Sequence, residues 1–202
     1  MPLHVFEPRY RQLLVDCLGG DRRFGLVYKP DATAEDALPA GHVGCRALIE
    51  EHAPLADGRA NILVRGDDRF ALVAYAASDA PYHVGLVEEL EDEPEPALAV
   101  AMVADDLRAL FSRVVRTLRQ GEPGARPAVR APLPDDDTDL AFAIATLLDL
   151  DLPTRQRLLA SRSSLARLRL LHERLARAVE QLEVRAAVVG RAGPADAAEP
   201  LP

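Results

Sequence analysis

The stretch VGCRALIEEHAPLADGRANILVRGDDRFALV spans Val43–Val73. Around its start, His42–His52 alternates apolar and polar residues well enough for a strand. Asp57-Gly58 then offers the positive φ that a hairpin turn needs. Ala60–Gly66 reads as the returning strand, and Arg69–Ala76 as a further strand after Asp67-Asp68. Outward from this block, Phe24–Lys29 and Tyr82–Leu90 read as two more short strands. Pro30–Gly41 is small and polar, a surface loop. Short strands joined by tight turns predict a small antiparallel barrel or meander rather than βαβ units.

The strand-rich half holds one helix. Pro8 suits a first helical position, where its missing N–H costs nothing. Tyr10, Leu13, Leu14, Cys17 and Leu18 repeat with helical spacing, so the stripe, Tyr10 included, is expected to face the core. Gly19 and Gly20 are expected to end it through a left-handed residue. Before it, Leu3–Phe6 is an apolar extended run beginning almost at Met1.

Past Pro94 the pattern becomes helical. Val103, Leu107, Leu110, Phe111, Val114 and Leu118 form one stripe, up to Gly121. A Pro-rich connector, Gly121–Asp137, cannot be helix throughout. A helix is expected over about 138–151, with Leu140, Ile144, Leu147 and Leu148 inward, and a short one after Pro153. The last helix has Ser163 or Ser164 as N-cap and a stripe of Leu165, Leu168, Leu171, Leu175, Ala178 and Leu182. Residues 190–202 read as a disordered tail.

The 202 residues are 49% apolar, enough for a sizeable core. No apolar run approaches the roughly 20 residues of a spanning helix, and no signal-peptide pattern opens the chain, so a cytoplasmic, membrane-free protein is expected. Cys17 and Cys45 are expected to be free, half-buried thiols. Residues 1–93 carry 9 basic and 17 acidic side chains, while residues 94–202 carry 15 of each. An acidic first half repels a phosphate backbone, which argues against nucleic acid as a partner.

Catalytic patterns are missing. Lys29, the one lysine, is followed by Pro30 and preceded by no Gly-rich loop, so no P-loop is written here. No Gly-x-Ser-x-Gly elbow occurs, and a Ser–Lys dyad would have to use Lys29. His4, His42, His52, His83 and His172 lack metal-ligand spacing, and no cofactor is implied. Asp135–Asp137 beside Thr138 reads as an acidic helix start, and Glu88–Glu95 as a solvated charge run. The tyrosines and phenylalanines show no paired stacking pattern of the RNA-binding kind.

Three blocks, in order, resemble a known family. PLHVFEPRYRQLLVDCL (Pro2–Leu18), the Val43–Val73 stretch quoted above, and RQRLLASRSSLARLRLLHERL (Arg155–Leu175) are similar to the substrate-binding domain of the Lon ATP-dependent protease. In the last block Gln156, Leu158, Leu159, Arg167 and Leu168 stand where the family pattern has them. The family pattern also carries an earlier apolar strand, before the position of Met1, that is absent from this sequence. A barrel without that strand would expose an edge.

The resemblance implies an α+β fold: a PUA-like antiparallel β-barrel with one inserted helix, followed by a helical bundle. The expected division is a β subdomain over residues 1–93, without the first family strand, and a helical subdomain over 94–189. The implied role is a non-catalytic module that binds unfolded or partner polypeptides in a groove between barrel and bundle, linked to protein quality control. A stand-alone hydrolase and an RNA-binding PUA-like protein are the alternatives. Arg9 and Arg11 are the binding candidates. Glu7, Pro8, Tyr10, Gly58, Gly66, Arg69 and Phe70 are structural motif residues, with Glu7 expected to pair with Arg69. The long last helix suggests a homodimer.

Overall fold

The computed structural model describes residues 1–34, 36–121 and 133–191, and side chains outside 117–121 and 182–191. Of the tail predicted over 190–202, residues 190 and 191 belong to the last helix and the rest lie outside the described residues, as does most of the Pro-rich connector. The element order is β1 (Pro2–Val5), α1 (Pro8–Leu18), β2 (Arg23–Val27), β3 (Val43–Pro54), β4 (Ala60–Ala76), β5 (Val84–Glu89), α2 (Ala97–Gly121), α3 (Asp137–Leu147), α4 (Leu152–Ala160) and α5 (Ser164–Arg191). The fold is α+β, with an open antiparallel sheet and helices. No described helix is long and apolar enough to cross a membrane.

The chain forms two compact units. The first is Met1–Asp92 together with Leu150–Arg162, and the second is Glu93–Asp149 with the chain from Ser163 onward. Helix α4 therefore sits with the strands, although the sequence placed residues 94–189 in one helical subdomain. The reason is local. Leu158 is buried, Gln156 donates through Nε2 to the Val43 carbonyl at 2.8 Å, and Arg69 on β4 donates to the Leu159 and Ser161 carbonyls at 2.8 and 2.7 Å.

In the first unit the sheet order is β1-β4-β3-β2, with β5 also on β4. Strand β4 runs 17 residues without a break, so the two strands expected over Ala60–Gly66 and Arg69–Ala76 are one. The polar residues between them do not make a turn, because each acid has a cation to face. Asp67 accepts from Arg23 Nε at 2.7 Å, and Asp68 lies 3.7 Å from Arg46. The irregularity falls instead on the register, which shifts between Cys45 and Ala47 and between Ile49 and Glu51 of β3. Gly58 closes the β3–β4 hairpin at φ 79°, as its sequence position predicts.

Helix α1 starts with Pro8 at its first position and lays Leu14 and Cys17 on Ala47, Ile49, Ala60, Ile62 and Val64. Each buried Leu, Ile or Val side chain in this cluster contributes about 1.5–3 kcal/mol. The helix ends differently from the expectation. Gly19 is right-handed, at φ −78°, and the left-handed residue is Arg22, at φ 63°. Three hydrogen bonds hold Arg22 there: its N–H to the Cys17 carbonyl, its carbonyl from Ile49 N–H, and its Nε to the Ile49 carbonyl. Cys17 and Cys45 are free thiols, as expected.

The second unit packs α2, α3 and α5 around Ala104, Leu107, Leu140, Ile144, Leu168 and Leu171. Asp136 caps α3 by accepting the Thr138 N–H at 2.8 Å, so the acidic run is a helix start. Ser163 caps α5 by accepting the Ala166 N–H at 3.0 Å. Arg167 is buried inside this core, 1% exposed. It donates to Ser164 Oγ and the Thr138 carbonyl, and it lies over the Phe142 ring.

Candidate functional site

The period-2 rule sends alternate side chains of β2 to opposite faces. Leu26 packs toward the α1-covered core, while Phe24 touches both that core and the cavity on the other side. Arg23, Gly25 and Val27, continued by Lys29, line a cavity of about 520 Å³. Across it, β4 contributes Phe70, Leu72 and Tyr75, and β5 contributes Gly85 and Val87. Helix α1 adds Tyr10 and Leu13, and the loop before β3 adds the buried Leu38. All of the lining belongs to the first unit.

The volume depends on glycine. A Cβ on Gly44 would lie 2.5 Å from Phe70 Cζ and 2.7 Å from Val27 Cγ1, and one on Gly85 would lie 2.9 Å from Leu72 Cδ1. Phe70, one of the motif residues, is thereby seated as a buried floor.

The rim is polar and largely self-paired. Asp67 sits below the ordinary carboxylate range, chiefly because Arg23 donates to it. Tyr82 donates to Asp16 Oδ2 at 2.7 Å, and that bond pushes its phenol up to about 12. Tyr75 meets His83 edge-on, with ring centroids 5.7 Å apart. Lys29 donates to the Thr33 carbonyl at 3.1 Å, and among the described residues no hydroxyl is hydrogen-bonded to it. Burial is the first cause that raises both thiols, Cys17 and Cys45, which opposes thiolate formation. Among the described residues no three His, Cys, Asp or Glu side chains stand together as metal ligands. The geometry is that of an apolar, aromatic-edged recess with a cationic side, suited to binding.

The motif residues fall around this recess unevenly. Tyr10 lines it and is 37% exposed, so it does not face the core as its place in the stripe predicted. Arg9 lies over the Tyr10 ring, 4.5 Å from its centroid, and pairs with Glu7 at 2.9 Å. The expected Glu7–Arg69 pair is absent; Arg69 instead pairs with Asp92. Two residues apart, Glu7 and Arg9 meet at the helix start, whereas Arg69 is drawn to the carbonyls at the end of α4. Arg11 reaches the hairpin, donating to the Asp57 carbonyl at 3.5 Å, and is not among the lining residues. Gly66 faces Cys45, whose Sγ lies 3.3 Å from where a Cβ would stand. Sequence reasoning missed Val27, Tyr75, Tyr82 and Val87. The alternation of 23, 25 and 27 on β2, continued by 29 just past it, was the available signal; the meeting of Tyr10, Tyr75 and Tyr82 had none.

Comparisons with known proteins agree with this architecture. The family model described as the ATP-dependent protease La (LON) substrate-binding domain matches residues 1–177. "Lon protease 2" of Herpetosiphon aurantiacus is 33% identical over 185 residues, covering 91% of this chain and 22% of that protein. The chain thus spans about a fifth of the length of the curated relatives it matches. Among solved structures, the Lon N-terminal domain protein from Xanthomonas campestris is similar with TM-score 0.55 and 25% identity, over 85% of this chain and 86% of that one. The N-terminal domain of the Mycobacterium avium complex Lon protease shares the fold with TM-score 0.59 at 17% identity, over 87% and 90%.

Proposed function

This chain belongs to the substrate-binding domain family of the ATP-dependent protease Lon, and from that premise we propose that it is a non-catalytic module that recognises unfolded or partner polypeptides. The observation that carries this is the 520 Å³ recess of the first unit, with its Phe70, Leu72, Val27 and Val87 surface and tyrosine edge. Apolar and aromatic area of this kind holds peptide side chains without reading a sequence closely. Its role is to present chains to the quality-control machinery in the cytoplasm. We class the sheet as a PUA-like barrel left open on one side; the long β4, paired with β1, β3 and β5, supports that class. Self-association through α5 is a further part of the proposal.

The test is fluorescence anisotropy with reduced, carboxymethylated α-lactalbumin as a permanently unfolded probe. Val27→Asp and Val87→Asp place a carboxylate in the recess and are expected to weaken binding at least about tenfold. No binding by the wild-type chain, or equal binding by both variants, would sink the proposal. Stoichiometric labelling of one serine by a fluorophosphonate would overturn its non-catalytic part.

A further inference from the structure

We propose that the outward face of α2 is a docking surface for a second copy of this chain, which lays its own α2 antiparallel across it about Ala109. All the residues involved lie in the second unit, so the proposal goes beyond the recess and does not depend on what the recess binds.

Helical spacing divides α2 into two sides. Val100, Ala104, Leu107, Leu110, Phe111 and Val114 are buried on one of them. At about 3.6 residues per turn, Leu98, Met102, Asp105, Ala109, Arg113 and Arg116 fall in one stripe on the other. All six are exposed. Among the described residues no large apolar side chain is more exposed than Leu98, at 75%, and Met102 is 63% exposed.

Scattered exposed apolar side chains are ordinary on a protein surface. What marks this stripe is its order. From the N-terminal end it reads apolar at Leu98 and Met102, acidic at Asp105, small at Ala109, then basic at Arg113 and Arg116. Ala109 is also the midpoint of α2, which runs 25 residues from Ala97 to Gly121. A two-fold axis through Ala109 overlays both helices along their full length, about 37 Å, and sets each stripe on its complement.

The levels match along the axis. Asp105 and Arg113 each stand about 6 Å from Ala109, on opposite sides, so each Asp105 meets the partner's Arg113, and symmetry makes the pair twice. Asp105 already lies 3.4 Å from Arg108, but the shorter contact of that guanidinium is to Asp137, at 2.6 Å, and the Asp105 side chain stays 79% exposed for a second cation. Met102 and Arg116 also stand at equal distances from Ala109, so the thioether lies along the aliphatic stem of the partner's Arg116. Ala109 against its own copy lets the axes approach to about 8 Å. A parallel pair would set acid on acid and base on base, so charge selects the antiparallel one. This face is distinct from that of α5, whose outward residues are Arg162, Ala166, Arg169, Glu173 and Arg177. One helix pair is a small interface, about 1,200 Å² or less in total, so the expected dimer is a weak one, dissociating at about 10–100 µM.

Sedimentation velocity of the full chain over about 1–300 µM tests this. The wild-type chain is expected to pass from monomer to dimer as concentration rises. Asp105→Arg sets arginine against arginine and Arg113→Asp sets acid against acid, so each variant alone is expected to weaken the dimer about tenfold or more. Mixed in equal amounts, the two variants are expected to associate with each other, because both pairs across the axis are then opposite in charge. Met102→Asp is expected to weaken the dimer by a similar factor, with circular dichroism unchanged in all three. A wild-type chain that stays monomeric, single variants that dimerise as well as wild type, or a mixture no more associated than its components would each overturn the proposal. A dimer that Arg169→Glu dissolves while the α2 variants leave it intact would assign self-association to α5 and overturn it as well. So would a monomeric wild-type chain whose binding of carboxymethylated α-lactalbumin is lost in Met102→Asp, which would give the face to client chains.

Discussion

Replacing Arg69 with alanine should cost the first unit about 3–4 kcal/mol. The guanidinium donates to the Leu159 and Ser161 carbonyls and to Asp92. Hydrogen bonds to a charged group contribute about 1.5–3 kcal/mol each. The Arg69 side chain is only 11% exposed, but Asp92 is 29% exposed, so water recovers part of the loss once the arginine is gone. That places the net below the simple sum, at the low end of the about 3–5 kcal/mol lost when one partner of a buried pair is removed. The change also strips a cation from the C-terminal end of α4, where it favours the helix dipole. Tyr10, Tyr28, Tyr75 and Tyr82 all lie in the first unit and the chain has no tryptophan, so tyrosine fluorescence in urea follows that unit alone. With a slope of about 2 kcal/mol/M the midpoint should fall by about 1.5–2 M. Arg69→Lys keeps the charge but not the fork, and should fall between. A midpoint lowered by less than about 0.5 M in Arg69→Ala would refute the role of this residue as the pin between β4 and α4.

Gly44→Ala should destabilise the same unit by about 3 kcal/mol, because the new methyl meets Phe70, Val27 and the Leu26 carbonyl below 3.0 Å. Gly44→Ala with Phe70→Leu should recover part of that in the same urea assay, and an unshifted Gly44→Ala midpoint would show that the site yields freely. Tyr82 gains its proton affinity first from the bond to Asp16, so the folded form prefers the neutral phenol. Its contribution to stability is complete below about pH 10 and is lost as pH rises toward 12. In Asp16→Ala, ring carbon shifts should place Tyr82 back near 10, and an unchanged titration would deny the bond. Ser163→Ala should cost α5 about 1 kcal/mol in helix melting followed by circular dichroism, and no change would mean the cap is idle. Burial pushes the Glu95 carboxyl up, but bonds from Ser163 and from the Leu165 and Ser164 N–H groups outweigh it and hold it low. Its contribution is therefore present above the ordinary carboxylate range and lost as pH falls. Glu95→Gln should flatten that acid limb, and an acid limb identical to wild type would refute it.

The hairpin at Asp57-Gly58, the proline start of α1 and the capped starts of α3 and α5 were all readable in advance, because each depends on residues within a few positions of one another. What was misread shares one cause. Asp67-Asp68 has the local chemistry of a turn, yet Arg23 and Arg46 arrive from neighbouring strands and keep β4 extended. Gly19-Gly20 offers a left-handed stop, yet the bonds from Cys17 and Ile49 move it to Arg22. Arg167, whose burial the one-dimensional pattern did not announce, is held by groups that include Ser164, Thr138 and Phe142.

The linear pattern by itself determined the class of this protein: strands and one helix first, helices after, and the ordered blocks that place it among Lon substrate-binding domains. Periodicity and turn chemistry are local, so they survive in one dimension. The recess was decided only by tertiary structure. Its walls come from Tyr10, Val27, Phe70 and Val87, which stand on α1, β2, β4 and β5. Which strands share the cavity depends on long-range pairing, and the register of that pairing shifts at two places between β3 and β4. Neither quantity is a property of any short segment of the chain.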